Sequence, residues 1–129
     1  MTVRVRSITF DCKEPYKLAQ FWSALTGLTE DPDDINLPEH DEAVLLGRDG
    51  SPNLLFIRVP EARQVKNRVH VDLTPPDSDP ATRDAELKRI LALGATIVED
   101  HRRPDGGGWI WLADPEGNDF CLERGVSGG

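Results

Sequence analysis

The sequence predicts an α+β domain made of two similar halves, each reading strand–helix–strand–strand–strand. Three observations predict it. Apolar and polar residues alternate over 8–12 and again over 69–73, the period of a half-buried strand. Each run leads through prolines into a segment with apolar residues at helical spacing, closed by a glycine. The punctuation then repeats, because Gly27 and Gly94, which end the helices, stand as far apart as Gly50 and Gly117, which sit in the hairpin turns.

The first strand is expected over 3–12, with Ile8, Phe10 and Cys12 on one face and Ser7, Thr9 and Asp11 on the other. Val3 and Val5 fall on the second face, so the apolar phase switches near Arg6, as a bulge would make it. Glu14-Pro15 opens a helix whose apolar face carries Leu18, Phe21, Trp22 and Leu25, and Gly27 ends it. A second strand is expected to start near Leu28. Residues 30–42, acidic and with two prolines, read as an exposed loop. Strands over 43–46 and 54–59 make a hairpin around the turn 48–52.

A polar connector over 60–67 leads to the second half. Its first strand is expected over 68–74, with Val69, Val71 and Leu73 opposite His70, Asp72 and Thr74. Prolines at 75, 76 and 80 precede a helix from about residue 81, whose apolar face carries Leu87, Ile90, Leu91 and Leu93. Strands over 95–100, 109–113 and 120–123 complete the pattern, with Gly106-Gly107-Gly108 expected as a mobile loop. Module one is expected over about 1–60, module two over about 67–124, and a flexible tail over 125–129. Sheets with a helix on one face can turn their other faces toward a shared groove.

At 129 residues the chain has the length of one domain. Its formal charge of −8 argues against a general nucleic-acid binder and suits a cationic ligand. No apolar run is long enough for a membrane span. Cys12 and Cys121 make no disulfide framework, and a cytoplasmic location is the default.

The segments ITFDCKEPYKLAQFWSALTGL, LLFIRVPEARQVKNRVHVDL and WLADPEGNDFCLE resemble the vicinal oxygen chelate superfamily, and within it the glyoxalase-like and bleomycin-resistance-like proteins. That resemblance implies two βαβββ modules forming a cupped, incomplete mixed β-barrel with helices outside, and a homodimer. It also implies a divalent metal held by up to four side chains, polarising substrate oxygens. The four ligand positions fall on Ser7, on Phe56 or Ile57, on His70 and on Cys121. Only His70 is an ordinary ligand, Cys121 offers a thiolate to a soft metal, and Asp72 and Glu123 are the substitutes at hand. The full metal site is therefore not expected, and no cofactor is assigned.

The groove-lining candidates are Ser7, Thr9, Phe56, Ile57, His70, Trp109, Trp111 and Cys121. His70 has the chemistry of a ligand, a general base or a substrate partner, with Asp72 assisting, or of a structural histidine bonded to Asp72. Asp11 pairs with an arginine such as Arg6 or Arg68 or lies exposed at the strand end, or it forms a carboxylate pair with Asp72. Cys121 reads as a small apolar wall before it reads as a nucleophile. Trp109 and Trp111 share one face of a strand, either packed under the second helix or lining the groove as a stacking platform. The leading expectation is small-molecule binding in a groove between the modules without the full metal site. The alternative is a metal-assisted or His70-dependent lyase, isomerase or dioxygenase acting on a small oxygenated metabolite. A third is a domain that docks a partner chain.

Overall fold

A computed structural model describes residues 2–125 and shows two compact units that part between Ala62 and Arg63. Among the described residues there are two helices and seven strands in two mixed sheets, neither closed into a barrel. Met1 and residues 126–129, most of the expected tail, lie outside the described residues.

In the first unit, β1 (Ser7–Cys12), α1 (Pro15–Thr26), β2 (Glu42–Leu45) and β3 (Asn53–Arg58) follow one another, and the sheet runs β1-β3-β2. β1 lies parallel to β3, and β2 antiparallel to it. α1 starts with Pro15, whose missing N–H costs nothing there, and stops at Gly27, whose φ of 79° only glycine adopts without strain. Its inner face, with Leu18, Phe21, Trp22 and Leu25, packs on β2 and β3. Phe10 stacks on Trp22 with ring centroids 5.0 Å apart and on Phe56 at 5.2 Å. Trp22 and Phe56 are both fully buried, so the core of this unit is aromatic.

Two expectations for this unit need correcting. No strand forms at Leu28. The chain turns instead, with the Asp33 N–H on the Asp31 carboxylate, and the outer edge of β2 is satisfied by other groups. Asn36 presents its side-chain amide to both the N–H and the C=O of Val44, each at 2.9 Å, and the Leu46 N–H reaches the Thr29 carbonyl. With the ladder already capped, a strand has nothing left to bond there. The phase switch at Arg6 is the start of β1 and not a bulge within it, since Val3 and Val5 precede the strand and are 97% and 66% exposed.

In the second unit, β4 (Val71–Leu73), α2 (Pro80–Ala92), β5 (Thr96–Asp100), β6 (Trp109–Ala113) and β7 (Asp119–Glu123) form a sheet ordered β4-β7-β6-β5. β4 is parallel to β7 and the other pairs are antiparallel. Asp79 caps α2, its carboxylate accepting the Ala81 N–H. Leu87 and Ile90 from α2, with Ile110, Leu112, Phe120 and Leu122 from the sheet, form a mainly aliphatic core.

The glycine run expected as a mobile loop is a packed turn. Gly106 and Gly107 are buried, and Arg83, itself 2% exposed, donates to the carbonyls of Gly107 and Gly108. A Cβ on Gly108 would lie 1.9 Å from the His101 carbonyl oxygen, so only glycine lets the two chains approach this closely.

Candidate functional site

Ile110 and Leu112 are fully buried, and that decides where the rest of β6 points. Trp109 and Trp111 are turned to the opposite face of the sheet. Register carries that face across the neighbouring strands, because Trp111 sits opposite Cys121 of β7 and Glu99 of β5, and Cys121 is paired with Asp72 of β4. A register shift between Ile97 and Glu99 brings Glu99 onto this face. The result is a hollow of about 460 Å³ with a floor of Trp109, Trp111 and Cys121. Its rim carries Lys66, His70, Asp72, Glu99, His101 and Glu123. All of these residues belong to the second unit.

Both histidines of the rim are paired with a carboxylate two residues away. His70 Nδ1 lies 3.1 Å from Asp72 Oδ1, and His101 Nε2 lies 2.6 Å from Glu99 Oε2. An ionised carboxylate only accepts, so the ring nitrogen that faces it is the donor in each pair. The His101 ring also stacks on Trp109 at 4.7 Å between centroids. Cys121 is buried, and burial followed by the charges of Asp72 and Glu123 pushes its thiol up to about 11. Without a metal it is a neutral wall at ordinary pH and not a nucleophile. Burial and then the Asp72 charge raise Glu123 above the usual glutamate value. Among the described residues Glu123 has no hydrogen-bond or ion-pair partner, so it is a carboxylate kept available at the rim.

One buried group organises this face, and the sequence does not announce it. Asp119, 2% exposed, accepts the Trp111 indole N–H at 2.8 Å with one oxygen. Its other oxygen takes the backbone N–H of Asn67 at 2.7 Å and the Arg63 guanidinium at 2.8 Å. Burial alone would raise this carboxyl, but the hydrogen bonds from Asn67, Trp111 and Arg63 outweigh it and hold it below its ordinary value. The same anchor sets the connector beside the hollow, and Lys66 places its ammonium 4.3 Å from the centre of the Trp111 ring.

Of the residues singled out in the sequence, the structure brings together His70, Asp72, Trp109, Trp111, Cys121 and Glu123. The first-unit candidates are described by their own sheet. Phe56 does not line a groove, because its register with Phe10 and Ala43 puts it under α1. Ile57 shares the other face with Thr9 and Asp11, where Ser7 and Thr9 offer only hydroxyls. Lys66, Glu99, His101 and Asp119 were missed. Alternation along β5 could have flagged Glu99 and His101 only if the register shift within that strand were known.

Among the described residues the donor chemistry for a metal is gathered in one cluster. One ligand atom each from His70, Asp72 and Cys121 lies within 4.8 Å of the others, with Glu123 on the same face. An imidazole, a carboxylate and a thiolate at that spacing fit a tetrahedral ion such as zinc, whose fourth position would stay open.

A family model described as "Glyoxalase-like domain" matches residues 7–123. None of the curated proteins matches the chain. Among solved structures, a fosfomycin resistance protein, FosX, from Listeria monocytogenes in complex with Mn(II) and 1S,2S-dihydroxypropylphosphonic acid is 21% identical. It aligns over 97% of this chain and 94% of its own, with a TM-score of 0.70. A glyoxalase/bleomycin resistance protein/dioxygenase family enzyme from Burkholderia phytofirmans is 17% identical over 93% and 97% of the two chains, with a TM-score of 0.71. The hypothetical protein SA1046 from S. aureus is 16% identical over 96% and 95%, with a TM-score of 0.69. At these identities the likeness is one of fold. No helix among the described residues is long and apolar enough to cross a membrane.

Proposed function

We propose that this chain, which belongs to the glyoxalase-like domain family, binds a flat organic cation in the hollow of its second unit. The observation that carries the reading is the pair Trp109 and Trp111, set side by side on an open sheet face and ringed by Asp72, Glu99 and Glu123. Indole faces attract cations and planar rings, and the carboxylates favour positive charge. The volume of the hollow is that of an ordinary small-molecule site. Screening by thermal shift tests it. A cationic aromatic present at a hundredfold excess over its Kd should stabilise the protein by about 2.7 kcal/mol. No shift with any compound of this class would remove the reading. A cytoplasmic homodimer belongs to the same reading, and sedimentation velocity tests the pairing.

A second reading is favoured by the His70–Asp72–Cys121 cluster. A divalent ion there would supply Lewis acidity toward a substrate oxygen. Asp72 would orient the His70 ring, and the second nitrogen of His101 would hold or release a proton at the rim. Cobalt titration distinguishes this reading, because a thiolate–cobalt absorption band that disappears in Cys121→Ser reports the site without any activity assay. Absence of the band in protein stripped of metal would remove it.

A further inference from the structure

Lys66 stands in an unusual place for a lysine beside three carboxylates. Asp72, Glu99 and Glu123 line the same hollow, yet among the described residues Lys66 makes no ion pair or hydrogen bond. Its ammonium lies instead over the Trp111 ring, at 4.3 Å from the centroid and well inside the range of cation–π attraction. Both partners of this contact are held by one group, since Asp119 fixes the Trp111 indole N–H and the backbone of Asn67, the residue after the lysine. Arg63 braces the same segment, pairing with Asp119 at 2.8 Å and reaching the Asn67 side chain at 3.2 Å. Lys66 itself reaches the ring on a four-carbon stem with freely rotating bonds.

We infer that Lys66 is a built-in occupant of the site, its ammonium covering the Trp111 face until the cationic group of a ligand displaces it. This rests on the binding reading above and identifies which part of the ligand does the binding. Exchange of one cation for another would make the site selective. When Lys66 swings into solvent and an organic ammonium takes its place, the charge facing Asp72, Glu99 and Glu123 is unchanged. A neutral flat molecule would evict the lysine and leave those carboxylates unbalanced, and an anion would add to their repulsion. Lys66 thus admits cations over neutral rings of equal size, at the cost of competing with them.

Calorimetric titration of benzyltrimethylammonium, with uncharged benzyl alcohol as control, tests this in wild type, Lys66→Ala and Lys66→Arg. Removing the competitor in Lys66→Ala should tighten benzyltrimethylammonium by about two- to fivefold, the range expected for an exposed cation–π contact. Lys66→Arg keeps a cation over the ring and should leave the affinity near wild type. Weaker or unchanged binding to Lys66→Ala, with wild type still binding, overturns the displacement and leaves the platform reading standing. No binding of either probe to any of the three proteins overturns both. A ligand-independent arm is available by NMR. The Lys66 side-chain methylenes should be shifted upfield by the Trp111 ring current and should return to ordinary values in Trp111→Leu. Ordinary values in wild type overturn the inference.

Discussion

The two units use their aromatic residues in opposite ways. In the first, Phe10, Trp22 and Phe56 stack under α1, and Trp22 and Phe56 are fully buried. In the second, the core under α2 is built chiefly from leucine and isoleucine, and Trp109 and Trp111 lie on the other side of the sheet. The same strand–helix scaffold therefore spends its tryptophan on cohesion in one half and its two tryptophans on an open surface in the other. The faces turned away from the helices differ as well. The first unit presents Ser7, Thr9, Asp11 and Ile57 on its β1–β3 ladder, whereas the second presents two histidine–carboxylate pairs. A duplicated pattern in sequence thus does not imply a duplicated site.

The largest expected effect comes from exchanging the tryptophans' fates. Trp22→Ala should cost about 3–5 kcal/mol of stability by urea unfolding, since it empties a filled core, and Trp109→Ala should cost about 0.5 kcal/mol or less. Equal losses would break the comparison. The cysteines offer a second contrast. Cys121, with its thiol at about 11, should react with iodoacetamide at neutral pH on the order of a hundredfold more slowly in metal-free folded protein than after unfolding. Asp72→Asn should speed that reaction by removing a repelling charge.

Asp119→Ala should cost about 1–3 kcal/mol by leaving three donors without their acceptor. The carboxyl is depressed in the fold, so its contribution is complete above the unfolded value near about 4 and is lost as the pH falls through its folded value. Thermal melts across the acid range should therefore steepen in wild type relative to Asp119→Asn. A smaller loss than at Asp119 is expected at Asn36→Ala, which exposes the edge of β2 and should cost about 1 kcal/mol.

Periodicity read the two cores well because burial is a local pattern. Leu18, Phe21, Trp22 and Leu25 are spaced for one helical face whatever lies opposite. It could not say which way Trp109 and Trp111 point, because alternation fixes which residues share a face and leaves open which face is buried. Only the packing of Ile110 and Leu112 settles that. The Asp119 anchor was invisible for a different reason. Its partners Arg63 and Asn67 are 56 and 52 residues away, with no spacing rule to join them. The missing strand at Leu28 failed on chemistry that a polar pattern does not encode, namely one asparagine amide doing the hydrogen bonding of a peptide unit.

That amide has a practical consequence. Because the Asn36 side chain meets both backbone groups of Val44 on the β2 edge, the acidic turn ahead of it bridges only to itself and joins none of the named strands. Residues 31–35 form a natural splice point, where a fluorophore peptide or an affinity tag can be grafted without shifting any strand against its neighbour, provided the clasp that follows is kept.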